Sequence, residues 1–429
     1  MLSQRSIFLL WLPLAATWFM MATEGPILAS IVARLPDPKL NLAAYGVAFS
    51  IALIVEAPIM MILSASTALV QDHHSYVKLR NFTFSISLAL TVSMGLVSLP
   101  LIFYPLAINL VGLPLEVVKL SYWAILFLLP WPGAIGYRRF YQGLLIRSHR
   151  TRLITVGTVI RLLTMTLVSF SLFKSGLLSG ASVASASLSS GILVEAIASR
   201  LMVRSTLKEL NLKHPSTTLL NYPAIAKFYF PLALTSFLAL GSQPLITFFV
   251  GHSREALSSL AVLPVVYSLV FLFRSQGLAL QEVVVALAGK NWEGYHSLSL
   301  FTKRLALITS AGLMLIAFTP LQVFWFQRIS NLSTDLSELA VKATQILFLA
   351  PALAVFLSFL RGLLVKVRHT QDITWASLLE LIIILGTLLI NIFILDLVGT
   401  VSAALAVLAG RASSWFYLWY KVRQNKLSS

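Results

Sequence analysis

The chain has 429 residues, of which 58% are hydrophobic and 11% charged, where soluble domains carry roughly 25% charged residues. This composition excludes a water-soluble enzyme and points to an integral membrane protein; the net charge of +17 comes from 32 Lys and Arg against 15 Asp and Glu. The absence of cysteine excludes disulfides, thiolate metal sites and a cysteine nucleophile.

Apolar runs of about 20 residues predict membrane-spanning helices. Twelve such runs occur, near 7–33, 43–69, 83–104, 121–146, 153–173, 181–203, 227–250, 259–288, 305–325, 339–365, 374–395 and 398–420. They are continuously apolar rather than alternating, which argues against transmembrane strands, since a lipid-embedded backbone must satisfy its own hydrogen bonds. The first run is long and no small-residue cleavage pattern interrupts it, so it reads as a retained span rather than a signal peptide. The sixth and seventh runs are joined by the longest connection, 204–226, containing Pro215, Ser216, Thr217 and Thr218. It reads as a linker. The expected organisation is an N-terminal six-helix bundle over 1–203, a cytoplasmic linker over 204–226 and a C-terminal six-helix bundle over 227–429.

Basic residues are dealt out between the spans instead of forming one soluble block, which argues against a nucleic-acid partner. Lys78 and Arg80, Arg147 to Arg152, Arg204, Lys208 and Lys213, Lys290, Lys303 and Arg304, and Lys366 and Arg368 fall in alternate connections. Together with Arg5, Lys421, Arg423 and Lys426, they place both termini in the cytoplasm of a multi-pass protein of an inner or plasma membrane.

The two halves are copies of one another. Phe140 to Thr155 returns 219 positions later as Phe359 to Thr374, with Gly143-Leu144-Leu145 answered by Gly362-Leu363-Leu364; Pro132, Gly180 and Gly191 recur at the same offset as Pro351, Gly399 and Gly410. Earlier in each half the offset is 218, pairing Pro13-Leu14-Ala15 with Pro231-Leu232-Ala233 and Pro26 with Pro244. Repeats of this size mark secondary transporters, whose substrate site lies between symmetry-related halves.

Two six-span halves, each with a Gly-Leu-Leu and a basic loop after its fourth span, resemble the superfamily of the multidrug and toxin extrusion (MATE) transporters and the polysaccharide-lipid flippases. Ala44-Tyr45-Gly46-Val47-Ala48-Phe49-Ser50 followed by Pro58, and Pro231-Leu232-Ala233-Leu234 followed by Pro244 and Phe249-Val250, look most like the progressive-ankylosis (ANK) transporters within it. The resemblance implies an all-α, MATE-like fold of twelve transmembrane helices in two six-helix repeats around a central cavity. It also implies export of small anions such as pyrophosphate, nucleotides or citrate. In one respect the chain departs from MATE proteins, which often carry a carboxylate in the seventh or tenth span. Here 227–250 has no acid, and in the tenth run Glu338 lies just outside.

An ionisable side chain at a helix centre in lipid costs at least about 2.5–3.5 kcal/mol, so those present should face protein or water. In the first half they are Glu24, Glu56, Arg138, Arg139, Arg161 and Glu195, and in the second Arg274, Glu282, Arg361, Glu380 and Arg411. Glu56 maps onto Arg274 and Arg161 onto Glu380, opposite signs at symmetry-related places. A gate between Glu56 and Arg274 is expected, against the alternative that each is satisfied locally. Arg138, Arg139 and Arg361, with Arg274, would make a cavity positive and suit carboxylate or phosphate groups; the alternative is that Arg138, Arg139 and Arg361 snorkel to headgroups. Glu24 precedes Gly25-Pro26, which predicts a broken first span and a coupling-ion site for proton or sodium. A plain structural kink is the competing reading.

His73-His74 beside Asp72 lacks a third ligand and reads, like the other histidines, as loop sequence rather than a metal site. No phosphate loop, nucleophile elbow or zinc motif appears, so neither an enzyme nor ATP-driven transport is supported and no cofactor is expected. The leading expectation is an alternating-access exporter of a small organic or phosphate-containing anion, acting as a monomer among membrane lipids. A lipid-linked saccharide flippase, a MATE-type drug or cation antiporter and a non-transporting scaffold are the competitors. Cavity charge and an open or packed centre separate them.

Overall fold

The computed structural model describes residues 3–148, 150–211, 220–289, 293–367 and 369–427. Lys213, Pro215 to Thr218, His149, His214, Lys290, Arg368 and the interior of the expected linker lie outside the described residues. The described part of that linker includes the short helix Arg204–Asn211.

Among the described residues the chain is helical, with no strand. Eleven helices are long and apolar enough to cross a bilayer, and His73–Val97 taken with Pro100–Asn109 beyond a 67° bend makes a twelfth. In chain order they are α1 (Gln4–Val32), α2 (Pro38–Leu69), α3 (His73–Val97), α4 (Leu115–Arg147), α5 (Arg152–Ser175), α6 (Gly180–Met202), α7 (Tyr222–Gly251), α8 (Ala256–Leu287), α9 (Tyr295–Phe318), α10 (Thr334–Lys366), α11 (Thr370–Ile394) and α12 (Gly399–Gln424). The chain is an integral, multi-pass membrane protein. Its outer faces are correspondingly apolar: Leu163, Leu167 and Phe170 form an exposed stripe on α5, and Leu307, Met314 and Phe318 one on α9.

Proline decides where the third and ninth helices end. Both predicted runs extended further, to 104 and 325, but Pro100 and Pro320 force the residue before them out of helical backbone. Leu99 takes φ −64, ψ 132 and Thr319 φ −122, ψ 170. Both helices also start about ten residues before their apolar run, so Lys78, Arg80, Lys303 and Arg304 lie on their second and third turns rather than in loops. His73, His74 and His296 likewise open helices, and the Asp72 carboxylate caps α3 by accepting from the Ser75 amide at 2.8 Å. Gly25-Pro26 does not divide α1, which runs unbroken from Gln4 to Val32. One missing N–H is tolerated there, and Gly25 lets α1 approach so closely that a Cβ would lie 2.7 Å from that of Ser268. The interruptions fall instead within α2, at a 3₁₀ turn containing Pro58, and within α4 and α10 just before Pro132 and Pro351.

Two compact units form, and they do not follow the sequence halves. One comprises 35–244, the other 1–34 with 245–429. α1 therefore packs with the second half, and α7 as far as Pro244 with the first. The second unit takes up α1 through hydrogen bonds of Trp11 Nε1 to the Gln276 carbonyl (3.1 Å) and Asn331 Nδ2 to the Ala33 carbonyl (2.8 Å). In the first unit, the Tyr229 hydroxyl of α7 donates to the Pro58 carbonyl. A division at 204–226 follows connectivity, whereas packing is set by which apolar faces meet.

The internal contacts of each unit repeat. Asn41 Oδ1 accepts from the Ala181 amide (2.9 Å) and Ser259 Oγ from the Thr400 amide (3.1 Å), tying α2 to α6 and α8 to α12. Arg147 donates to the Thr67 carbonyl and Lys366 to that of Val285, each at 3.1 Å. This gives the two basic residues, equivalent in sequence and each the last of its helix rather than part of a loop, the same helix-tethering role. A Cβ on Gly191 would stand 3.0 Å from the Arg161 carbonyl, and one on Gly410 2.9 Å from that of Glu380. These glycines let α5 meet α6, and α11 meet α12, at backbone distance. Elsewhere the small residue changes sides: Gly136 faces Ile59, and at the equivalent contact Gly277 faces Val355.

Candidate functional site

Each unit holds a cluster of ionisable side chains deep among its helices, and the two clusters are built on equivalent positions. In the unit 35–244, Glu195 of α6 is fully buried and accepts with both oxygens. Arg138 of α4 reaches Oε2 at 2.6 Å, Arg161 of α5 lies 3.5 Å from the same oxygen, and Gln142 of α4 donates to Oε1 at 3.1 Å. Arg138 and Gln142, four residues apart, share one face of α4 and grip the carboxylate together. Glu56 of α2 is buried too and accepts from the Trp131 indole. Arg139 is within electrostatic reach of Glu56 and Glu195 and directs a terminal nitrogen to Met60 Sδ at 3.6 Å. The cluster holds Arg138, Arg139 and Arg161 against two carboxylates. Arg138 and Arg161 are each at most 4% exposed. Their charges are paired inside the protein rather than snorkelling, as expected where desolvated guanidinium must find an anion.

In the unit containing 245–429, the equivalents are rearranged. Gln142 is replaced by Arg361, Arg161 by Glu380 and Glu195 by Ser414. Arg361 of α10 lies 3.7 Å from the Glu380 carboxylate of α11, a looser pair with side chains 28% and 20% exposed. Arg274 of α8 stacks over the Phe271 ring at 5.2 Å and interacts electrostatically with Arg411 of α12, Glu380, Arg361 and the Tyr267 phenol. Helices α8, α10, α11 and α12 converge around this group.

The residues singled out from sequence thus sort into two clusters. Glu56, Arg138, Arg139 and Arg161 belong to one, and Arg274, Arg361 and Glu380 to the other. Arg161 and Glu380, noted as a symmetric pair of opposite sign, each find a partner in their own unit. Glu56 is satisfied by Trp131 and Arg274 lies over Phe271. Glu24 stands on α1 one residue before the close approach of Gly25 to Ser268. Sequence reasoning left out Glu195, Gln142, Trp131, Arg411 and Tyr267 as members of the site. Two signals pointed to some of them: Gln142 is the repeat equivalent of Arg361, and Glu195 and Arg411 are themselves in-span charges. No group of three or more His, Asp or Glu capable of holding a metal occurs among the described residues.

The sequence matches no family model and no curated protein. Solved structures share its fold. An inward-facing multidrug resistance MATE family transporter of the MOP superfamily aligns with TM-score 0.76 at 14% identity, covering 98% of each chain. The lipid II flippase MurJ in an inward closed conformation aligns with TM-score 0.72 at 15% identity, over 96% of this chain and 87% of that one. A MOP superfamily transporter from Pyrococcus furiosus, described as having a binding pocket of reverse polarity, aligns with TM-score 0.65 at 13% identity, over 98% and 96%. The fold is therefore that of these MATE and MurJ structures, in keeping with the MATE-like fold that the family resemblance implied.

Proposed function

We propose that the protein is an alternating-access secondary transporter of a small anion carrying carboxylate or phosphate groups. The observation that carries this reading is the arginine excess in both clusters: three arginines accompany two carboxylates in one, and in the other Arg274 and Arg361 face Glu380 with Arg411 beside them. Buried guanidinium without matching carboxylate is costly in a membrane protein unless an anion is present for part of the cycle. The absence of any acid from α7 supports the same polarity. Glu56, Arg274, Arg361 and Glu380 are the proposed substrate and gating groups, with Arg139, Arg138 and Arg161 supplying positive field. Glu24 is the proposed coupling group for proton or sodium.

Flux into proteoliposomes with labelled citrate, pyrophosphate and a cationic dye, with and without a pH gradient, tests the reading. Movement of an anion and not of the dye is expected. Movement of the dye alone would overturn it. Arg274→Ala and Glu56→Ala should each abolish anion flux with membrane insertion intact, and wild-type flux in both would remove them from the transport path.

A second reading, a flippase for a lipid-linked anion, is favoured by the likeness to MurJ over 96% of the chain. A labelled lipid-linked pyrophosphate moved in preference to citrate and free pyrophosphate would select it.

A further inference from the structure

The two equivalent clusters differ in one respect that bears on ligand binding. In the unit 35–244 the central carboxylate, Glu195, has three donors within 3.5 Å and no exposure, so this carboxylate is closed off. In the other unit the position of Glu195 is Ser414, and Glu380 is the one carboxylate among the charges acting on Arg274 and Arg361. The Nε atoms of Arg274, Arg361 and Arg411 and the hydroxyl of Tyr267 are buried without a hydrogen-bond partner among the described residues; the Nε atoms of Arg138, Arg139 and Arg161 share this in the other cluster, but the Tyr267 hydroxyl has no counterpart there, where Phe49 stands at the equivalent position. Buried donors are almost always satisfied in native proteins, and an unpartnered Tyr267 hydroxyl within electrostatic reach of Arg274 and Arg411 calls for an acceptor that is not part of the chain. Residue-level exposure is intermediate for Tyr267, Arg274, Arg361, Glu380 and Arg411, so the group is recessed without being sealed.

We propose that Arg274, Arg361, Arg411 and Tyr267 form an anion receptor within this unit, and that Glu380 is its resident counter-anion, displaced from Arg361 when ligand binds. The inference rests on the anion-transport reading above and deepens it by naming the receptor and its competitor. Three guanidiniums against one carboxylate leave two formal positive charges unmatched, which selects a compact oxyanion of charge about −2, such as hydrogen phosphate or a dicarboxylate. Arginine forks from α8, α10 and α12 would bind it from three sides, and the Tyr267 phenol would donate a further hydrogen bond. The 3.7 Å separation of Arg361 and Glu380, against 2.6 Å for Arg138 and Glu195, fits a pair that opens. Conversely, the contacts of Glu195 with Arg138, Arg161 and Gln142 are the fixed structural counterpart of this pair.

The test uses the full-length protein, purified and delipidated in a neutral detergent, titrated with inorganic phosphate, succinate and citrate, and separately with a short-chain phosphatidate. Calorimetry and the shift of the unfolding temperature are the readouts. Saturable binding is expected for the wild type; preference for the free anions identifies a soluble ligand, and preference for phosphatidate a lipid headgroup. Arg411→Gln should weaken binding at least tenfold and Tyr267→Phe about fivefold, while Arg411→Lys should retain part of the affinity. Glu380→Gln should strengthen binding at least threefold, because it removes the competitor, an effect that a merely structural carboxylate would not produce. Unchanged binding in a monodisperse Arg411→Gln protein would overturn the receptor, and unchanged or weaker binding in Glu380→Gln would overturn the displacement. If those variants also transport anion like the wild type, the receptor falls and the transport reading stands. If the wild type neither binds nor moves any anion, both fall.

Discussion

Glu195 offers the sharpest test of how the unit 35–244 is held together. It is fully buried, with Arg138 at 2.6 Å, Arg161 at 3.5 Å and Gln142 at 3.1 Å. Glu195→Ala would strand two guanidiniums that are themselves at most 4% exposed, and breaking a buried pair by removing one partner costs on the order of 3–5 kcal/mol. With an unfolding entropy of about 2.1 cal/mol/K per residue over the roughly 210 residues of the unit, each kcal/mol is worth about 2 °C, so Tm should fall by about 7–11 °C. Glu195→Gln, which keeps an acceptor for one donor, should fall between. The assay is loss of the monodisperse peak on heating, followed by fluorescence-detected size exclusion in detergent. Arg150 and Glu209 provide the control, since this pair lies at 2.5 Å with side chains 32% and 56% exposed, and Glu209→Ala should lower Tm by no more than about 2 °C. A Glu195→Ala protein melting within about 2 °C of wild type would refute the view that this carboxylate neutralises the arginines.

Gly410→Ala places a methyl group 2.6 Å from Ile384 Cγ1 and 2.9 Å from the Glu380 carbonyl, so it should destabilise by about 1–3 kcal/mol. Gly386→Ala on α11 meets nothing within 4 Å and should be neutral or slightly stabilising, by up to about 1 kcal/mol; melting curves of the two variants check the contrast. Trp131→Phe removes the donor to the buried Glu56 carboxylate and should cost about 1–3 kcal/mol, read in the same melt. Glu24→Gln should abolish the pH dependence of anion flux while leaving α1 folded; a mutant whose pH profile matches wild type ends the coupling role.

Much of the fold was legible in the sequence because membranes impose a local rule. A span needs a sufficient apolar length, which is why twelve runs predicted the helices, and the duplication could be read directly from Gly143/Gly362 and Gly191/Gly410. The starts of α3 and α9 were less legible, since their first turns are polar helix that hydropathy cannot distinguish from loop. Of the site, every clustered charge could be listed from the sequence, but not its partner. Arg161 and Glu380 looked like a pair because they are equivalent in sequence, yet Arg161 sits beside Glu195 and Glu380 beside Arg361.

The sequence alone determined that the chain is a duplicated helical membrane protein with more arginine than carboxylate inside its spans. Apolar run length, repeat offset and residue type are properties of the linear chain. Tertiary structure alone decided that α1 packs with residues 245–429, that Arg138 and Arg161 meet on Glu195 in one cluster, and that Arg274 and Arg361 share Glu380, with Arg411 beside them, in the other. Those outcomes depend on helix rotation and on glycine-permitted approach between helices, which bring together side chains that no spacing along the chain relates.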